Sequence, residues 1–181
     1  MSAAAVGATV WLTGLPSAGK STIARAAAEA LRSAGRRTQI LDGDELRAHL
    51  TADLGFSRAD RDVNVRRVGY VAQLLAAHGV TVLVPVIAPY VDARAEVRAR
   101  HEAAGTAYVE VHVATPVEVC AGRDVKGLYA RQARGELSGL TGVDDPYEPP
   151  AAPELRLPAH EQTGTESTRA LLALLRERGL A

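Results

Sequence analysis

Thr9-Val10-Trp11-Leu12-Thr13-Gly14-Leu15-Pro16-Ser17-Ala18-Gly19-Lys20-Ser21-Thr22 joins an apolar run to a helical pattern, which continues to Leu31, through a turn bounded by glycines. A strand feeding a helix through the spacing G-x-x-x-x-G-K-S aims successive backbone N–H groups, and the N-terminus of the helix, at one anion. In such a loop the lysine, Lys20, reaches the β- and γ-phosphates and the serine, Ser21, holds Mg2+. The stretch from Gly14 through Leu15, Pro16, Ser17, Ala18, Gly19, Lys20 and Ser21 to Thr22 therefore predicts a nucleoside triphosphate site. A ligand-free strand-to-helix turn can share the pattern, but here every fixed position is filled and both flanks are right.

Outward from this loop, strand and helix patterns alternate along the chain. Strands are expected near 9–13, 38–41, 80–87, 108–113 and 154–157, and helices near 20–34, 45–50, 60–77, 92–104, 116–122 and 166–177. Ser57 with Asp60 reads as a capping box with an acidic partner. Thr115-Pro116-Val117-Glu118 reads as a cap, a proline at the first helical position and a glutamate at the third. Such βα alternation argues for an α/β fold with a mostly parallel sheet covered by helices, whose ligands sit at the carboxyl ends of the strands. Arg123 to Pro150 breaks the alternation, being rich in Gly, Pro and charge without an apolar period. It reads as a lid over the nucleotide site or as a plain surface insertion.

The 181 residues suffice for a single domain over 1–181, with residues 1–7 a flexible N-terminus and 123–150 the lid. Lys plus Arg and Asp plus Glu both number 21, so no general field draws nucleic acid or an anionic membrane. The single Cys120 cannot form an intrachain disulfide, and Met1-Ser2-Ala3-Ala4-Ala5 lacks the charged and apolar regions of a signal peptide, which makes the cytoplasm the expected location. The longest apolar stretch, Val80 to Ala88, is strand-sized.

A second group of residues lies downstream. Asp42-Gly43-Asp44 follows the second expected strand, where one carboxylate can orient or deprotonate an attacking hydroxyl and the other can meet Mg2+-bound water. Asp and Gly are also ordinary turn residues. Arg47 lies three residues beyond Asp44, in the first turn of the short helix that Asp44 is expected to open. Arg61 and Asn64, three apart, share a helical face and form either a clamp for an anion with a polar group or a solvated basic face shared with Arg66 and Arg67. Phe56 is the only phenylalanine; its ring reads equally as a loop-edge face and as a core plug. Arg123 and Lys126 in Arg123-Asp124-Val125-Lys126-Gly127-Leu128-Tyr129 can approach a transferring phosphate if the lid closes, or decorate a surface turn.

Taken in order, the phosphate loop, Asp42-Gly43-Asp44, Leu54-Gly55-Phe56-Ser57, Asp60-Arg61, Asn64-Val65-Arg66-Arg67, Pro85-Val86-Ile87-Ala88-Pro89-Tyr90, Arg123 to Tyr129 and Thr141-Gly142-Val143-Asp144-Asp145-Pro146-Tyr147-Glu148 resemble the adenylyl-sulfate kinase family over nearly the whole chain from Ala8. The resemblance implies a three-layer P-loop kinase fold and transfer of phosphate from ATP, with Mg2+, to the 3'-hydroxyl of adenosine 5'-phosphosulfate. It implies Lys20, Asp44 and Lys126 as catalytic residues and Gly14 to Thr22 with Arg123 around ATP. Asp42, Asp44, Arg47, Phe56, Arg61, Asn64, Ile87, Lys126 and Leu140 would stand around the acceptor. Its partners would be a second copy of the chain, as a homodimer, and a separate ATP sulfurylase, with no nucleic acid and no membrane. The family commonly has phenylalanine at Leu140, which would face the adenine opposite Phe56, and some members have serine at Ala88. Leu140 keeps open a related P-loop kinase acting on another nucleotide, sugar or natural product. A nucleotide-binding module without transfer would not need Asp44, Arg61, Asn64 and Lys126 together.

Overall fold

Side chains alternate along the strand β1 (Ala8–Thr13), and this alternation divides the interior in two. Ala8, Val10 and Leu12 belong to one buried cluster, while Trp11 belongs to the other. A strand buried on both faces must lie inside a sheet covered on both sides. The computed structural model describes residues 7–181, so the expected flexible start lies outside the described residues except for Gly7, which is buried against the carbonyls of Ala76 and Val80.

The described residues form a five-stranded sheet in the order β2-β3-β1-β4-β5, with β2 (Thr38–Ile40), β3 (Thr81–Pro85), β4 (Ala107–Val113) and β5 (Leu155–Leu157). Every pairing is parallel, so all strands end at the same edge. The helices are α1 (Lys20–Ser33), α2 (Gly43–His49), α3 (Arg58–Ala77), α4 (Val91–Ala103), α5 (Val117–Arg123), α6 (Leu128–Ala133) and α7 (Gly164–Glu177). α1 and α7 cover the face that carries Val10 and Leu12, and α3 and α4 cover the face that carries Trp11. This is the expected three-layer α/β architecture.

The local differences from the sequence reading have physical reasons. The expected strand over 80–87 stops at Pro85, because beyond it Ala88 takes a left-handed backbone (φ 43°) and the chain turns. Asp42, not Asp44, caps α2, its carboxylate accepting the Asp44 N–H. Ser57 does cap α3, and its hydroxyl also donates to the Asp60 carboxylate. Thr115 caps nothing: Pro116 occupies the N-cap of α5, and the Thr115 hydroxyl donates to the Ala18 carbonyl of the phosphate loop. The segment 123–150 is folded, holding the short α6 and the bridge between Thr141 and Asp145. Six residues give α6 too few turns for an apolar period to appear.

Gly69 sets the approach of α3 to α4, since a Cβ there would stand 2.5 Å from Val97 Cγ2. Gly69→Ala gains about 1 kcal/mol of helix propensity but overpacks that contact at a cost of about 1–3 kcal/mol, so a net loss of roughly 1 kcal/mol is expected in urea unfolding. Val97→Ala in the same chain relieves the contact, and the pair should cost less than the sum of the single changes. Additive losses would show that the two helices do not meet there.

Candidate functional site

The phosphate loop leaves β1 at Gly14, where the backbone passes so close to β4 that a Cβ would lie 2.6 Å from the Val113 carbonyl. Ser17 (φ 62°) and Gly19 (φ 106°) take left-handed conformations, a combination that turns consecutive N–H groups to one side. α1 then begins with Gly19 as N-cap, without a side-chain cap and without an acidic residue in its first turn. α7, by contrast, satisfies its own N-terminus with a capping box of Thr163 and Glu166. The open N-terminus of α1 suits an anion.

Lys20, only 8% exposed, folds back to donate to the carbonyls of Gly14 (2.8 Å) and Leu15 (2.7 Å). Burial pushes its ammonium down to about 7. The outward carbonyls of the loop are held from the other side. Tyr129 OH donates to Pro16 O (3.0 Å), Thr115 Oγ1 to Ala18 O (2.8 Å), and Arg123 to Ala18 O (3.3 Å), while the Val125 N–H meets Ser17 Oγ (3.3 Å). Arg123 thus lies beside the loop. Thr115 and Tyr129 are functional neighbours that the sequence reading did not assign; Thr115 looked like a helix cap, and Tyr129 stood unassigned in the quoted motif.

Across from the loop, Asp42 and Asp44 lie just past the end of β2, at the same sheet edge. Asp44 pairs with Lys126, which comes from the turn between α5 and α6. Arg47 donates to the Gly55 carbonyl (2.8 Å), and its guanidinium lies 4.8 Å from the centre of the Phe56 ring. Burial, and next the charge of Arg61, hold the Arg47 pKa below its ordinary value, which marks a basic pocket. Phe56 is 69% exposed and so is the loop-edge ring, not the core plug. Asn64 accepts from the Thr51 hydroxyl (2.8 Å). Arg66 and Arg67 pair with Glu96 and Asp53 on the surface.

Two expected acceptor contacts are placed differently. Arg61 is not a free clamp: it is 7% exposed and donates to Phe56 O, Gly139 O, Thr141 Oγ1 and Asp145 Oδ2. Leu140 is 5% exposed and packs in the cluster under α1 and α7, so its side chain does not face Phe56. The Ile87 carbonyl already accepts from Thr13 Oγ1 (2.6 Å), which also meets Tyr147 OH (3.0 Å). Arg94 was missed because a buried arginine leaves no mark in an amphipathic pattern. It pairs with Glu110 (2.9 Å) and donates to the carbonyls of Ala88 and Glu148, both at 2.6 Å.

Among the described residues no group of His, Cys, Asp and Glu is arranged to hold a metal ion by itself. The Ser21 hydroxyl at the head of α1 and the Asp42 carboxylate at the head of α2 are hard oxygen donors of the kind that complete the shell of an Mg2+ held mainly by phosphates. No helix among the described residues is long and apolar enough to cross a membrane.

A family model described as adenylylsulphate kinase matches residues 6–158. An adenylyl-sulfate kinase of Rippkaea orientalis is 50% identical over 175 residues, covering 96% of this chain and 93% of the relative. One from Chloroflexus aurantiacus is 52% identical over 169 residues, covering 93% and 89%. The structure of the Mycobacterium tuberculosis APS kinase CysC in complex with AMPPNP and APS superposes with a TM-score of 0.92 at 45% identity, covering 95% of this chain and 99% of that one.

The displaced Lys20 pKa makes stability depend on pH. Unfolded, the lysine keeps its proton up to about 10.5; folded, it loses it near 7. Between these values the unfolded chain binds more protons, so the Lys20 contribution to stability rises with pH by about 1 kcal/mol per unit. Urea unfolding of the native chain and of Lys20→Met at pH 7.5, 8.25 and 9 should show the advantage of the variant shrinking as pH rises. A constant difference would mean an ordinary lysine.

Proposed function

The chain belongs to the adenylylsulphate kinase family, and from that premise we propose how its own residues carry the phosphoryl transfer. It is an ATP-dependent phosphotransferase acting on adenosine 5'-phosphosulfate, and the products are 3'-phosphoadenosine 5'-phosphosulfate and ADP. The observation that carries the assignment of roles is the ion pair of Lys126 with Asp44. It joins the acidic end of β2 to the turn that grips the phosphate loop, so donor and acceptor halves meet there.

In this reading the loop N–H groups and the N-terminus of α1 hold the ATP phosphates, and Lys20 leaves the Gly14 and Leu15 carbonyls to meet the β- and γ-oxygens. Ser21, with a water beside Asp42, would hold Mg2+, which would supply neutralisation of the phosphate charge. Asp44 accepts the proton of the 3'-hydroxyl as its oxygen attacks the γ-phosphorus, and the bond from that phosphorus to the β–γ bridging oxygen breaks, releasing ADP. Lys126, freed from Asp44 as the acceptor arrives, stabilises charge on the transferring group. Arg47, with Asn64 and Arg61 beside it, suits the phosphosulfate and sugar, Phe56 presents a ring to the adenine, and Arg123 flanks the ATP side. Residues 123–150 act as the lid of a single domain. The working form we propose is a cytoplasmic homodimer that receives its acceptor from a separate ATP sulfurylase.

Incubating the chain with ATP, Mg2+ and adenosine 5'-phosphosulfate and detecting the 3'-phosphorylated product tests the activity. Lys20→Ala should lower turnover by about a hundredfold or more, as does loss of one preorganised donor at a charged transition state. Asp44→Asn should lower kcat by roughly a hundredfold while leaving the ATP dissociation constant within about twofold. Lost ATP affinity with normal saturated turnover would move Asp44 to the donor side.

A further inference from the structure

In a planar trans peptide the C=O and the following N–H point in opposite directions, and the described residues contain no cis bond. A donor that captures the Pro16 carbonyl from outside the phosphate loop therefore turns the Ser17 N–H inward. The same holds for Ala18 O and the Gly19 N–H. Tyr129 OH supplies the first donor, at 3.0 Å, from a side chain only 7% exposed. Thr115 Oγ1 supplies the second, with Arg123 added on the same carbonyl.

Tyr129 is itself fixed. The Asp124 carboxylate accepts the N–H groups of Tyr129 (3.0 Å) and Ala130 (2.9 Å), which closes the turn that carries Val125 and Lys126 onto the start of α6. Within that turn the Val125 N–H meets Ser17 Oγ. The turn bearing Lys126 is thus fastened to the very peptide whose N–H it aims. Burial holds the Tyr129 phenol above its ordinary pKa, so it remains a donor across the working range of pH.

We propose that Tyr129 is a positioning residue for the donor phosphates: its hydroxyl aims the Ser17 N–H at the anion and holds Lys126 in register with the loop. The proposal rests on the reading of Gly14 to Ser21 as the ATP site. It differs from ordinary packing in one consequence, since the hydroxyl and not the ring carries the effect.

The test is Tyr129→Phe, which removes only that hydroxyl. An outward carbonyl stripped of its buried donor should raise the calorimetric dissociation constant for ATP with Mg2+ by roughly three- to tenfold, while KM for adenosine 5'-phosphosulfate stays within about twofold. Tyr129→Phe should also lower kcat by roughly three- to tenfold, and that loss should largely vanish in a Lys126→Ala background, because there is no longer a lysine to misplace. Unchanged ATP affinity in folded Tyr129→Phe, equal effects on both substrates, or full additivity with Lys126→Ala overturns the proposal. Should Tyr129→Phe fold poorly, Thr115→Val is expected to weaken ATP binding by a smaller factor, since Arg123 still donates to Ala18 O, and Thr115→Ser to restore it; native affinity in Thr115→Val counts against the proposal. A native chain that binds no ATP sinks the reading of the loop itself, whereas native binding with equal binding by Tyr129→Phe sinks only the positioning role.

Discussion

A loop that turns its N–H groups to one side must turn its carbonyls to the other, and buried carbonyls need donors. The phosphate loop meets that demand with Lys20 on Gly14 and Leu15, Tyr129 on Pro16, and Thr115 with Arg123 on Ala18. Apart from Lys20, these donors reach the loop only because β4 lies beside β1. Its neighbour β4 delivers Thr115 and then α5 and α6 on one flank, and its other neighbour β3 delivers the turn at Ile87 and Ala88. The parallel order β3-β1-β4 is therefore what makes the loop a site.

Guanidinium groups organise the segment that returns over this edge. Arg94 on α4 reaches Ala88 O and Glu148 O while paired with Glu110, and Arg98 joins Glu110 to Glu154 ahead of β5. Removing such charges from water offsets much of their mutual attraction, so their contribution lies in specifying position more than in net stability. Because Ala88 sits in a left-handed conformation that a residue with a Cβ rarely adopts, the donor on its carbonyl holds a turn that the local sequence alone does not favour.

Features carried by neighbouring residues were legible in the sequence. The strand, loop and helix around Gly14 to Ser21, the helix start at Ser57, and the alternation that gives three layers all depend on contacts a few residues apart. Thr115 was misread because a threonine before a proline is an ordinary cap signal, and only the fold brings Ala18, 97 positions away, to its hydroxyl. Arg61 shows the same limit. Its place on a helical face with Asn64 was readable, but its engagement with Gly139, Thr141 and Asp145 depends on how the segment 123–150 folds back onto α3.

That engagement bears on Leu140. The Phe56 ring is covered on one face by the Arg47 guanidinium, 4.8 Å from its centre. The segment after Gly139 reaches Arg61, but there Leu140 packs into the core and does not face Phe56. Arg61 binds both backbones at once, through Phe56 O at 2.8 Å and Gly139 O at 2.6 Å, so the planar guanidinium itself sets their separation. Lysine, a single flexible ammonium, lacks the rigid fork needed to hold two backbones in fixed register. The side chain at 140 then acts chiefly on the core, and the spacing of the Phe56 and Gly139 backbones is governed by Arg61.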